Sequence, residues 1–156
     1  MRKLGIIAVL ALLVTALAAV PALAANPHFV GTPTATDLGT QLRVSGSIAG
    51  LGGGNIDVRV VANGTAAVTC TNPSGKIAPG QRTTVRSTGT VTNLETKNGR
   101  ANFTVTTATP TVPNTPTCPN DKWRATVTNV QFTSYTVTVF QPAGTTNIAL
   151  QRTFQL

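Results

Sequence analysis

The sequence predicts an all-β fold, an antiparallel immunoglobulin-like β-sandwich of roughly seven to nine strands. Three observations predict it. From Phe29 onward apolar and polar residues alternate with a period of two, as in strands with one buried and one wet face. Glycine, proline and asparagine clusters interrupt that alternation at short, fairly even intervals. Beyond residue 25 no stretch carries the 3.6-residue periodicity of an amphipathic helix. A closed barrel is the competing architecture. The abundant threonines fit either, because a β-branched side chain suits an extended backbone and its hydroxyl tolerates water.

The first 25 residues stand apart. Arg2 and Lys3 precede an apolar run from Leu4 to Val20, and Pro21-Ala22-Leu23-Ala24-Ala25 supplies small residues at the exit. A basic start, a short greasy middle and a small-residue end form a secretory signal peptide, cut after Ala24 or Ala25. No stop-transfer pattern follows, so no permanent membrane anchor is expected. The expected product is one secreted domain, residues 26–156, extracellular or periplasmic, long enough to bury its own core. It keeps ten of the twelve basic residues and all four acids (Asp37, Asp57, Glu95, Asp121), a formal charge of +6.

In chain order, Leu42, Val44 and Ile48 alternate with Arg43, Ser45 and Ser47, which puts the aliphatic side chains inward and Arg43 in water. Gly50-Leu51-Gly52-Gly53-Gly54-Asn55 reads as a turn rather than a phosphate loop, because a β-branched strand and not a helix follows it. Ile56, Val58 and Val60 resume the alternation, and Asn63-Gly64 predicts a tight hairpin into a separate strand, residues 65–70. The proline and glycine content of residues 71–80 predicts a surface loop. Val85 and Val91 mark the next strand, and Lys97-Asn98-Gly99-Arg100 a hairpin into the strand of Phe103 and Val105.

Pro110, Pro113, Pro116 and Pro119 make residues 109–121 an extended connection around Cys118. Trp123, Ala125 and Val127 begin another strand, and Tyr135, Val137 and Val139 resume the pattern after a break near Thr133 and Ser134. Residues 141–147 turn the chain into the last strand, where Arg152 shares the parity of Ile148, Leu150, Phe154 and Leu156. A bulge, an edge position or a snorkelling stem resolves that conflict. Cys70 and Cys118, exported together, are expected to form one structural disulfide. Trp123 is expected to pack against it in the core.

Little in this inventory suggests reaction chemistry. The lone histidine, His28, lies near the processed N-terminus, no serine sits in a hydrolase-type elbow, and nothing pairs Asp57 with Asp121. No catalytic residue, cofactor or metal site is therefore expected. The scarcity of aromatic residues argues against specific nucleic-acid recognition.

Ala49-Gly50-Leu51-Gly52, Cys70-Thr71-Asn72-Pro73-Ser74-Gly75, Asn98-Gly99-Arg100 with Phe103-Thr104-Val105, and Cys118-Pro119-Asn120 with Trp123 together resemble a group of small exported bacterial proteins of undefined function. The resemblance implies location and fold and carries no site residue. Thr34-Ala35-Thr36 and Leu42-Arg43-Val44-Ser45-Gly46 are similar, in architecture alone, to the secreted immunoglobulin-like apoproteins of enediyne antibiotics. The expected role is a non-catalytic secreted or cell-surface module that binds or structures extracellular material. Arg43, Arg59, Arg86, Lys122 and Arg124 are the candidate face for an anionic envelope polymer or polysaccharide. The alternative is an extracellular protease inhibitor presenting the proline-rich loop 109–120, whose stiffness lowers the ordering cost of docking.

Overall fold

The computed structural model describes residues 26–156. The signal peptide expected over residues 1–25 lies outside the described residues. Nine strands run in chain order: β1 (His28–Phe29), β2 (Thr34–Asp37), β3 (Leu42–Ala49), β4 (Ile56–Thr71), β5 (Ile77–Pro79), β6 (Thr83–Leu94), β7 (Ala101–Thr106), β8 (Arg124–Phe140) and β9 (Ile148–Gln155). They form two antiparallel sheets with a sandwich-like arrangement. In sheet A, β3 pairs with β7 on one edge and with β1 and β2 on the other. In sheet B, β4 pairs with β8, which pairs with β9, while β5 and β6 share the opposite edge of β4.

The alternation read from the sequence is what packs the sheets together. Leu42, Val44 and Ile48 from β3 meet Val58, Val60 and Ala62 from β4 and Val137 and Val139 from β8 in one buried cluster. An aromatic group closes its open side. Phe29 stands edge-on to both Phe103 and Phe154, and Phe154 stacks on Tyr135 with centroids 5.1 Å apart. The Tyr135 hydroxyl, inside this group, donates to the Pro33 carbonyl at 2.7 Å. Lys97-Asn98-Gly99-Arg100 is the hairpin turn the sequence indicates. Asn98 and Gly99 both adopt positive φ, and Lys97 and Arg100 exchange backbone hydrogen bonds.

Four local expectations are corrected. The hairpin expected at Asn63-Gly64 is absent, because β4 continues unbroken through both residues. Its partner β8 also continues through the expected break at Thr133 and Ser134. The two signals mark a single bulge: Asn63 pairs with Ser134 and Gly64 with Phe132, leaving Thr133 as the extra residue. A Cβ on Gly64 would lie 2.5 Å from the Gln131 carbonyl oxygen, so glycine serves close strand approach here rather than a turn.

The loop expected over residues 71–80 folds back on itself. Asn72 accepts hydrogen bonds from the backbone of Ser74 and Lys76, and Ile77, Ala78 and Pro79 return along β4 as a short edge strand. Proline is tolerated in that edge position, where the missing donor need not serve a neighbour. Trp123 is half-buried and lies outside the core cluster. With 16 and 17 residues, β4 and β8 are twice as long as the eight-residue β3. Their far end has no facing strand, and loop 107–123 covers it instead. Finally, Arg152 keeps its core parity on β9, an edge strand, and lays its guanidinium 5.4 Å from the centroid of the Phe154 ring.

Asp57 fastens the opposite end of sheet B. Its carboxylate accepts the backbone N–H groups of Asn93 and Gly144, both at 2.8 Å, and these bonds hold its pKa below the ordinary 3.8. A carboxyl with a depressed native pKa stabilises fully above its unfolded value and loses that contribution as pH falls through the native value. Asp57→Asn is thus expected to lower the melting temperature at neutral pH. That difference should close below the carboxylate range in a melting series against pH, and a constant difference down to strong acid would contradict the assignment.

Candidate functional site

The long strands β4 and β8 give sheet B an outer face whose residues follow directly from the period of two. Even-numbered positions of β4 are buried, so odd-numbered ones point outward, and the paired registers carry this rule to β6, β8 and β9. Outward positions are mostly threonine, glutamine and asparagine, interrupted by arginine.

Of the five cationic residues singled out in the sequence, four belong to this side of the molecule. Arg59 on β4 and Arg86 on β6 line one recess of about 240 Å³ with Val61, Thr136, Phe140 and Gln151. The Arg59 guanidinium sits 4.7 Å from the centroid of the Phe140 ring, which it shields from water. At the other end, Arg124, paired with Thr71, lines a recess of about 330 Å³ with Lys122, Asn72 and Pro73. Arg43 is separate. It lies on the outer face of sheet A, paired with Thr36 and Thr106, and its Nε donates to Thr106 Oγ1 at 3.5 Å.

Between the two ends lies a member that sequence reading missed. Arg82 lines a third recess, about 300 Å³, with Thr65, Ala67, Asn129, Gln131 and Asp37. It immediately precedes β6, and the alternation of Thr84 and Arg86 in Arg82-Thr83-Thr84-Val85-Arg86 already placed it on their face. Among the described residues the one ion pair joins Lys97 to Glu95 in the connection between β6 and β7. No carboxylate among the described residues thus reaches salt-bridge distance of Arg59, Arg82, Arg86 or Arg124.

Loop 107–123 follows a different logic. Cys118 bonds to Cys70, with Cα atoms 5.8 Å apart and a separation of 48 residues. Pro110, Thr117 and Cys118 are buried and Val112 packs against the core cluster. Asn114 ties the loop from within, its carbonyl accepting Cys118 N–H and its side chain accepting Ala125 N–H. Thr115 donates to the Asp121 carboxylate. Thr111, Pro113, Asn114, Thr115 and Pro116 remain exposed. A disulfide of this kind is compatible with an oxidising, extracellular location.

His28 lies on a further recess, about 730 Å³, formed with Gly50, Leu51, Gly52, Gly53, Gly54, Thr96 and Asn98. Its Nδ1 is 2.9 Å from the Asn26 carbonyl, and no carboxylate, thiol or second imidazole lines the space. Among the described residues no three His, Cys, Asp or Glu side chains gather as a metal-binding group. Compared with protein-family models, curated proteins and solved structures, the chain has no match.

Proposed function

We propose that this chain is a non-catalytic secreted or cell-surface binding module, exported by a cleaved signal peptide, with an immunoglobulin-like sandwich that engages anionic extracellular polymer. The observation that carries the reading is the set of arginines sharing the outer face of sheet B without a carboxylate partner. Arginine charges left open on a face of hydroxyl and amide side chains attract an acidic partner and offer it forked donors. The basic leader and its small-residue exit support export, as does the resemblance to small exported bacterial proteins.

The reading predicts retention of the purified protein on insoluble cell-envelope and acidic polysaccharide fractions at low salt. Release should occur as ionic strength rises, because exposed charge pairs are screened. Arg86→Glu should weaken retention by about tenfold, and Lys122→Glu with Arg124→Glu similarly, since like charges then face the ligand. Retention unaffected by these reversals, or absent at low salt, would refute the reading. Protease inhibition through loop 109–120 is then the competing activity to assay, although the burial of Pro110, Thr117 and Cys118 supports a covering role for that loop.

A further inference from the structure

The arginines of sheet B fall on one period. Arg59 lies on β4 itself, Arg86 pairs with Asn63 and Arg124 pairs with Thr71. Arg82 directly precedes Thr83, the partner of Ala66, and so comes level with Ala67, beside which it lines the central recess. Counted along β4 the levels are residues 59, 63, 67 and 71. Each step is four residues, which keeps every arginine on the same face. At the usual strand rise a step is about 13 Å and the whole row about 40 Å. The three recesses follow the same order, with Arg59 and Arg86 in the first, Arg82 in the second, and Arg124 with Lys122 in the third.

We infer that this row is a track for one extended acidic polysaccharide, whose carboxylates are held at successive levels; the inference rests on the reading of sheet B as the binding face. Charge complementarity identifies the occupant. The acids around the row already have hydrogen-bond partners, Asp37 accepting Gly39 N–H, Asp57 accepting Asn93 and Gly144 N–H, and Asp121 accepting the Thr115 hydroxyl. The intervening Thr65, Gln131, Thr136 and Gln151 present hydroxyl and amide groups that both donate and accept, as sugar hydroxyls require. A single-stranded nucleic acid brings similar charge but depends on exposed rings for stacking. Phe140, the aromatic residue on this face, is buried beneath Arg59.

A periodic row also makes a quantitative demand. A short oligomer engages one level, and each further level it reaches is bound intramolecularly at high effective concentration. Affinity therefore climbs with ligand length until the ligand spans the row, then levels off.

The test is calorimetric titration of the purified protein with galacturonate oligomers graded in length from the trimer upward, at two salt concentrations. An oligothymidylate of matched charge is the comparison ligand. Affinity per chain should rise with length, and Arg82→Gln and Arg124→Gln should each weaken binding of the longest oligomer by about three- to tenfold and flatten its salt dependence. Arg43→Gln, on the other sheet, should leave both unchanged. Length-independent binding that ignores Arg82 and Arg124 yet falls on Arg86→Gln would overturn the track and leave sheet B as the binding face. Binding indifferent to all three sheet B substitutions, or no binding, would overturn both. Tighter binding of the oligothymidylate would overturn the polysaccharide assignment.

Discussion

Replacing Cys70 and Cys118 together by alanine is expected to lower the unfolding free energy by about 4 kcal/mol, the chain-entropy value for a loop of this length. For a domain of this size the loss corresponds to a fall in melting temperature on the order of 15 °C. The location of the bond sharpens the expectation. It joins the far end of β4 to the loop that covers the uncovered part of sheet B, and both sulfur-bearing residues are buried. Gly80 is held against it, with no room for a Cβ between Cys70 Sγ and the Thr117 carbonyl. Denaturant titration of the paired variant, alongside the parent with and without reductant, measures the effect. An unchanged midpoint would mean that the Asn114 hydrogen bonds and the Gln81 N–H to Thr117 carbonyl bond hold the loop unaided.

Gly64→Val should cost about 3 kcal/mol, at the upper end of overpacking penalties, because the obstruction is backbone rather than a side chain that can rotate away. A Cβ at this position meets the Gln131 carbonyl oxygen at 2.5 Å and the Gln131 carbonyl carbon and Phe132 Cα at 3.0 Å. The two central strands of sheet B must then separate at the bulge opposite Thr133. Gly53→Val provides the control, since a Cβ there meets nothing within 4 Å. Comparable stability of the two variants would show that the strands can part at little cost.

Gly64 also shows where sequence reading succeeded and where it stopped. Alternation assigned the inward positions of β3, β4 and β8 correctly, because each side chain's face depends only on its own parity. The same local signal could not separate a hairpin from a bulge. Asn63-Gly64 and Thr133-Ser134 look like two turns when read apart, and only the pairing of β4 with β8 makes them one irregularity. Trp123 failed for a related reason. Its parity is inward, but burial needs an opposing layer, and the difference in length between β4 and β3 was hidden once β4 had been divided at Asn63.

The candidate site was legible to the same depth. Arg59, Arg86 and Arg124 were identifiable as outward-facing, as was Arg43, but nothing local says which sheet receives each one. Arg82 escaped notice because it lies just before its strand. Its meaning depends on Thr83 pairing with Ala66, a contact between residues far apart in the chain. The regular spacing of the row is likewise a property of three strands in register, β4, β6 and β8, and no single segment contains it.

The alternation of inward and outward positions along β4, β6 and β8 gives the arginines a second role, in folding. A slip of one residue in β4 would carry Arg59 into the space between the sheets, an equivalent slip would do the same to Arg86 in β6, and one in β8 would turn Arg124 under loop 107–123. A buried guanidinium without a partner is penalised by several kcal/mol. The same slips would turn Val58, Val60 and Val85 out to water, so the charges reinforce the register that the apolar alternation sets. Each charge thus acts as a checkpoint against a misaligned sheet and against the addition of foreign strands, so that a surface suited to ligands also guards the chain while it assembles.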